Sequence, residues 1–328
     1  MTAPLLVTTD AVDARLRKEV LAGLQATPRT LPATLFYDAR GAALFEAICH
    51  LPEYYPTRTE QAILAAHAGD LADLIGPRAA IIEPGSGAAT KVRQLLRALD
   101  TPTAYIPVDV AEEQLARVSA ERAREFPALR VRAVLGDYRN AIPLPPLPGD
   151  ARRVVFFPGS TIGNLHPNEA AHFLRDMAAV VGPDGGMVLG IDRRKDPRLL
   201  HAAYNDDAGV TADFNLNILT RLNREFHGTF HRAAFRHRAF FNDADSRIEM
   251  HLEAVSPQTA RVEQLELSFA AGATIRTEVS YKYDRARLDA LAAAGGWRVV
   301  ECFTDPKHWF WVCWLVPADT TSNPSSQS

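Results

Sequence analysis

The stretch 79–87, Ala-Ala-Ile-Ile-Glu-Pro-Gly-Ser-Gly, is a short apolar run that breaks into a glycine-rich turn just ahead of a helical pattern. The helix is expected over 88–99, because Val92, Leu95, Leu96 and Leu99 recur at intervals of three and four, the period of one buried face. Its N-terminus then opens on the turn. Glycine there lets a ligand approach the backbone, and the unpaired N–H groups at the helix start favour polar or anionic atoms. Strand, glycine turn and helix in this order constrain the chain to an α/β fold with a nucleotide-type site at a strand end.

Further strands repeat the arrangement. One over 104–110 carries Asp109 at its end, where a carboxylate can accept hydrogen bonds from ribose hydroxyls. The next, 130–135, runs into Gly136-Asp137-Tyr138, a carboxylate beside an aromatic platform suited to adenine. Another, 153–157, leads into Pro158-Gly159-Ser160-Thr161-Ile162-Gly163-Asn164, and a fifth, 186–191, closes with Asp192. If the crossovers are right-handed, these loops share one sheet edge. The spacing Gly85-x-Gly87-x-x-Thr90 lacks the third glycine of the dinucleotide fingerprint, which counts against a nicotinamide-dependent oxidoreductase. After a helix over 284–294, two apolar aromatic-rich runs, 297–303 and 309–316, read as a hairpin. A parallel sheet closed by such a hairpin resembles the Rossmann-like methyltransferases, and S-adenosylmethionine becomes the leading cofactor.

Composition narrows the partners. A net charge of −3 with scattered arginines gives no footprint for nucleic acid. There is no secretory leader pattern and no apolar run of membrane-spanning length, so the chain reads as a cytoplasmic protein that does not engage a membrane. Cys49, Cys302 and Cys313 are too dispersed for a disulfide framework or zinc site and are expected to be core thiols. His227 and His231 are one helical turn apart, but Gly228 interrupts the turn and His237 lies beyond it, so no metal is expected.

The nucleotide-binding strands start only near residue 79, leaving an N-terminal segment with helices at 11–26 and 43–50. From 195 to 283 the pattern changes to helices near 197–204 and 210–226 and half-exposed strands at 247–254, 260–269 and 274–283. The resulting division is a substrate-binding domain, 1–58 with 196–285, a cofactor-binding domain, 59–195 with 286–317, and a disordered tail, 318–328. The fold class is α/β, a Rossmann-like sheet with a C-terminal antiparallel hairpin plus a smaller α+β lobe. Within that lobe Glu278 and Ser280 fall on one strand face, where a carboxylate and a hydroxyl two residues apart can read both polar positions of a small ring.

Taken together, Leu51-Pro-Glu-Tyr-Tyr-Pro-Thr-Arg-Thr-Glu60, Gly159-Ser-Thr-Ile-Gly-Asn-Leu165, Ala203-Tyr-Asn-Asp-Asp-Ala-Gly-Val-Thr211, Arg247-Ile-Glu-Met250 and Arg276-Thr-Glu-Val-Ser280 resemble the histidine Nα-methyltransferases of ergothioneine biosynthesis. The resemblance runs over about 16–315. It implies a monomeric enzyme that uses S-adenosylmethionine to trimethylate the α-amine of L-histidine, by way of its mono- and dimethylated forms, to hercynine. It implies that Asn164 and Tyr204 hold the substrate carboxylate, Glu278 and Ser280 the imidazole, and that Tyr54 and Met250 line the pocket. Tyr37, Phe45, Gly159 and Thr161 would surround the reacting amine. The cofactor would lie against Glu83, Gly85, Ser86, Gly87 and Lys91 at the turn, with Asp109, Asp137 and Tyr138 at the neighbouring strand ends. Pro84 and Pro158 depart from the family pattern at strand ends, where a lost N–H is tolerated, and Asn205 replaces the usual acid beside Tyr204. The competing readings are methyl transfer to another amino acid or amine, the nicotinamide-dependent oxidoreductase, and a non-catalytic protein that binds S-adenosylmethionine or an amino acid.

Overall fold

The computed structural model describes residues 5–6, 9–87, 89–139 and 142–318. The chain divides into two compact units. The first holds Leu5–Leu6, Thr59–Arg193 and the chain from Tyr283 onward; the second runs from the helix Thr9–Gln25 through Arg58 and from Arg194 to Lys282. Residues 5–6 and 283–285, expected in the substrate-binding domain, fall in the first unit, and 194–195 fall in the second. The reason is backbone pairing. Leu5–Leu6 pairs in parallel with Val134–Leu135, and the Tyr283 N–H donates to the Asp192 carbonyl. The tail positions 319–328 lie outside the described residues.

The first unit is built on one sheet, with strands in the order Leu5–Leu6, Val134–Leu135, Ala104–Asp109, Ala79–Pro84, Arg152–Phe157, Gly186–Asp192, Phe310–Pro317 and Trp297–Thr304. The first six are parallel, Phe310–Pro317 runs antiparallel to them, and Trp297–Thr304 pairs antiparallel with Phe310–Pro317, so the C-terminal hairpin closes the sheet as expected. Ala79–Pro84 and Gly186–Asp192 are buried along their whole length, which a parallel sheet covered on both faces requires. The chain winds outward from Ala79–Pro84 to one side, then restarts beside it with Arg152–Phe157 and winds to the other. The glycine turn at 85–87 and the loop at 158–164 therefore follow the two strands flanking the switch point, the place where such sheets bind ligands.

Several local expectations change. The strand expected over 130–135 is two pieces, Arg130–Val131 and Val134–Leu135, each pairing with Ala104–Asp109. The helix after the glycine turn spans only Val92–Ala98, because the turn extends to Lys91. Cys302 and Cys313 are not separate core thiols. They face each other across the hairpin with Cα atoms 4.1 Å apart and form a disulfide. Register between adjacent strands brings them together, which a spacing of eleven residues does not disclose. No helix among the described residues is long and apolar enough to cross a membrane.

The second unit has its own four-stranded sheet, in the order Arg29–Thr30, Thr274–Tyr281, Arg247–Ala254 and Phe235–Asn242. The last is a strand that alternation alone did not disclose. The run expected as one strand over 260–269 is a hairpin, Gln258–Val262 and Leu265–Phe269, whose turn places Glu263 at a φ of 52°. The helix Val210–Glu225 packs on the sheet and on the helix Ala39–Cys49.

Gly186 gives a direct test of packing in the first unit. A Cβ there would lie 1.9 Å from Trp314 Cη2, inside a buried indole. Gly186→Ala should destabilise the protein by about 1–3 kcal/mol through overpacking, read as a lower midpoint in chemical denaturation.

Candidate active site

At the strand edge of the first unit the Gly85 and Ser86 N–H groups both donate to the Val108 carbonyl, folding the turn back over the neighbouring strand. Gly85 has a φ of +67°, and a Cβ there would come within 3.1 Å of the Tyr138 ring. The position is therefore a cradle that a side chain would fill. Ser86 Oγ, buried in the turn, has no hydrogen-bond partner among the described residues. Asp109 accepts from the Gly87 N–H at 2.8 Å and the Ala111 N–H at 3.0 Å, and its burial pushes the carboxyl pKa up. Tyr138 stands edge-on to Phe157 and Phe173, a fixed aromatic wall beside Gly85. Asp137 is held by Arg139 through paired hydrogen bonds.

Two predicted cofactor residues are engaged elsewhere. Glu83 accepts the Tyr105 phenol at 2.5 Å in a fully buried position, and desolvation pushes its pKa up to about 8. Lys91 pairs with Glu60, whose carboxylate also accepts the Gly159 N–H at 2.8 Å. Glu60 was not anticipated. The following loop turns through Ser160 at a φ of 55° into a short 3-10 helix, Thr161–Asn164. Ser160 Oγ accepts the Asp192 N–H, and the Thr161 hydroxyl donates to the Pro158 carbonyl. Asn164 ends that helix.

The second unit brings together the other predicted residues. A row of rings runs from Tyr37 to Phe45 at 5.9 Å, Phe45 to Tyr54 at 6.3 Å and Tyr54 to Tyr204 at 6.4 Å, each close to edge-on. Phe214, which sequence reasoning missed, packs against Tyr37 and Phe45. Tyr204 Oη lies 2.9 Å from Ser280 Oγ. Met250 is directly opposite Glu278 in the antiparallel register, so Met250, Glu278 and Ser280 share one face. Desolvation pushes the Glu278 pKa up to about 7, with the Lys282 charge pulling the other way. Burial first, then neighbours that include Tyr204 and Glu278, hold the Tyr54 phenol far above its usual range.

A bulge sets this face. The register between Arg247–Ala254 and Thr274–Tyr281 shifts between Met250 and His251, leaving Thr277 as the extra residue. The Thr277 hydroxyl is shared between Asn215 Oδ1 at 2.7 Å and the Met250 carbonyl at 3.1 Å. The Asn215 amide nitrogen donates to the His251 carbonyl and lies 2.9 Å from His237 Nδ1, while His237 Nε2 is 2.9 Å from the Tyr204 carbonyl. His237 is thus tied into backbone support, and burial lowers its pKa. Lys282, next on the Glu278 and Ser280 face, was also missed. Its place at the next alternate position after Ser280 was the available signal.

The sequence profile of the family described as histidine-specific, S-adenosylmethionine-dependent methyltransferases matches residues 16–317. The chain belongs to this family. A histidine N-alpha-methyltransferase of Mycolicibacterium smegmatis is 42% identical over 302 residues, covering 90% of this chain and 93% of the relative. Ergothioneine biosynthesis protein 1 of Neurospora crassa is 36% identical over 220 residues, which are 65% of this chain and 25% of that protein. A 4-dimethylallyltryptophan N-methyltransferase of Aspergillus fumigatus is 28% identical, with 90% of this chain and 91% of that one covered.

The cofactor of this methyltransferase is S-adenosylmethionine, and the edge of the first unit fits it. The Gly85 cradle, the orphaned Ser86 hydroxyl and the Asp109 carboxylate offer a close backbone approach, a free donor and acceptor, and a ribose partner. Asp109→Ala should weaken S-adenosylmethionine binding by roughly 1.5–3 kcal/mol, the loss of a charge-assisted acceptor, and calorimetry reads it directly. An unchanged affinity would remove Asp109 from the ribose position.

Glu278 and Glu83 make the methyltransferase sensitive to pH. Their pKa values of about 7 and about 8 in the folded protein lie above the ordinary 4.5, so the folded state holds these protons more tightly than the unfolded chain. The contribution to stability is complete below about pH 4.5 and is lost as pH rises through the folded values. Thermal unfolding between pH 5 and 8 should show a falling midpoint, and Glu278→Gln should shallow that fall without abolishing it, since Glu83 remains.

Proposed function

We propose that this protein is a monomeric, cytoplasmic enzyme that methylates the α-amine of L-histidine three times, giving hercynine in the first step of ergothioneine biosynthesis. The relative named as a histidine N-alpha-methyltransferase, aligned over 90% of the chain, supports this reading. The observation that carries it is the second unit's recognition face, where Glu278 and Ser280 adjoin the Tyr204 hydroxyl and the row of aromatic rings.

Bound S-adenosylmethionine supplies an electrophilic methyl carbon on its sulfonium. The protein's task is to hold a neutral amine lone pair in line with it. The family resemblance assigns Asn164 and Tyr204 to the substrate carboxylate and Glu278 and Ser280 to the imidazole. Tyr54 and Met250 line the space between the two anchors. With both ends fixed, the amine has one place to be. Thr161, whose own proton goes to the Pro158 carbonyl, presents lone pairs that an amine N–H can use, and Gly159, its N–H taken by Glu60, has only its carbonyl left to contribute. Each of the first two transfers is followed by loss of a proton to solvent, restoring the lone pair. The third leaves a quaternary ammonium with no proton to lose, which ends the sequence. The faces of Tyr37, Phe45 and Tyr54 suit that growing cation.

Glu278 also accounts for selectivity. An apolar amino acid would leave this carboxylate desolvated and unpaired, whereas an imidazole N–H pairs with it. Incubating the enzyme with S-adenosylmethionine and a panel of amino acids, read by mass spectrometry, should give histidine carrying three added methyl groups. Preferential methylation of a tryptophan derivative would favour the amine named for the Aspergillus fumigatus relative instead. In competition between histidine and phenylalanine, Glu278→Ala should cost histidine roughly 2–5 kcal/mol of transition-state stabilisation and move the ratio towards phenylalanine. An unchanged ratio would show that Glu278 does not read the ring.

A further inference from the structure

Lys282 has no role in the mechanism above, yet it is 1% exposed at the centre of the recognition face. Its Nζ lies 2.8 Å from Ser280 Oγ and 3.2 Å from Tyr204 Oη, and these two oxygens are 2.9 Å apart. The three atoms close a buried triangle. An ammonium carries donors and no acceptor, so along both edges that meet at Lys282 the hydroxyl oxygens must accept. Each hydroxyl has one proton, and Lys282 draws its lone pairs inward. The protons of Ser280 and Tyr204 are thereby turned away from the lysine, one of them spanning the third edge until a ligand takes its place.

Polarity follows from this. Glu278, two residues before Ser280 on the same face, offers lone pairs when ionised. Ser280, with a lone pair committed to Lys282, offers its proton. Resting on the histidine reading, we infer that Lys282 is a positioning residue that determines specificity: it sets Ser280 and Tyr204 as hydrogen-bond donors. The recognition face then presents one acceptor, Glu278, and one donor, Ser280. That pair complements a neutral imidazole, which has one N–H and one bare nitrogen. Tyr204, oriented by the same ammonium, presents its proton to the substrate carboxylate. Without the cation, both hydroxyls are free to turn their protons into the triangle.

A merely structural lysine would affect all substrates alike and act independently of Ser280. The test is a double-mutant cycle with Lys282→Met and Ser280→Ala, measuring kcat and KM for histidine and for phenylalanine, which lacks ring nitrogens. Lys282→Met should raise KM for histidine more than tenfold, raise KM for phenylalanine by the smaller factor owed to the shared carboxylate anchor Tyr204, leave kcat within about threefold, and lower the preference for histidine over phenylalanine about tenfold. In the Ser280→Ala background the same substitution should change that preference less than about twofold. Lys282→Gln, whose uncharged amide keeps N–H donors one bond nearer the backbone, serves the same cycle if the methionine variant does not fold, and should lose less of the preference. Additive effects of Lys282 and Ser280, or an equal loss for both substrates, would overturn the inference. If the parent enzyme fails to methylate histidine, the functional reading itself falls, and that result is seen before any variant is made.

Discussion

The carboxylate of Glu60 ties together the strand ends of the cofactor-binding unit. It is 1% exposed, pairs with Lys91 beside the glycine turn, and accepts the Gly159 N–H at the head of the next loop. It also occupies the space over Gly190, where a Cβ would lie 2.0 Å from Glu60 Oε1. A helix start, a loop and a strand that are distant in sequence thus converge on one buried group. Removing either member of such a pair strands the other charge in a desolvated site, which is far more costly than the pair is stabilising. Lys91 and Gly159, which a motif reading hands to the ligands, are therefore first engaged in holding the edge on which those ligands rest.

The second unit solves a similar problem with neutral groups. Asn215 is fully buried and joins the bulge at Thr277, the backbone at His251, and His237, which in turn reaches the Tyr204 carbonyl. These contacts join the helix Val210–Glu225, the bulged pair of strands and the backbone of Tyr204, whose hydroxyl meets Ser280. A bulge by itself adds local twist and an unpaired residue. Here the extra hydroxyl finds an acceptor in the helix Val210–Glu225, so the bulge is a fixed bend leading into the strand segment that carries Glu278 and Ser280.

Charge is rationed on that surface. Glu278 is desolvated enough for its pKa to reach about 7, and Lys282 opposes the shift. Phenols surround the pair, and Tyr54 is kept neutral by its burial. On the proposed function, a site that accepts an amino acid and releases a quaternary ammonium benefits from few fixed charges, each opposed by another, with aromatic faces for the growing cation.

Much of this was legible in the residues themselves. The parallel sheet, its closing hairpin, the glycine turn and the carboxylate of Asp109 follow from apolar runs, breaker residues and strand-end positions, all local in sequence. The shared face of Glu278 and Ser280 follows from the two-residue period of a strand. Sequence spacing does not disclose contacts between distant elements: Tyr204 meets Ser280 across 76 positions, Gly159 meets Glu60 across 99, and Thr277 meets Asn215 across 62. The facing of Cys302 and Cys313 depended on register in the same way. Local chemistry determined which side chains could serve. Tertiary packing decided which of them were already engaged, because a buried hydrogen-bonding group must find its partner wherever the fold brings one within about 3 Å.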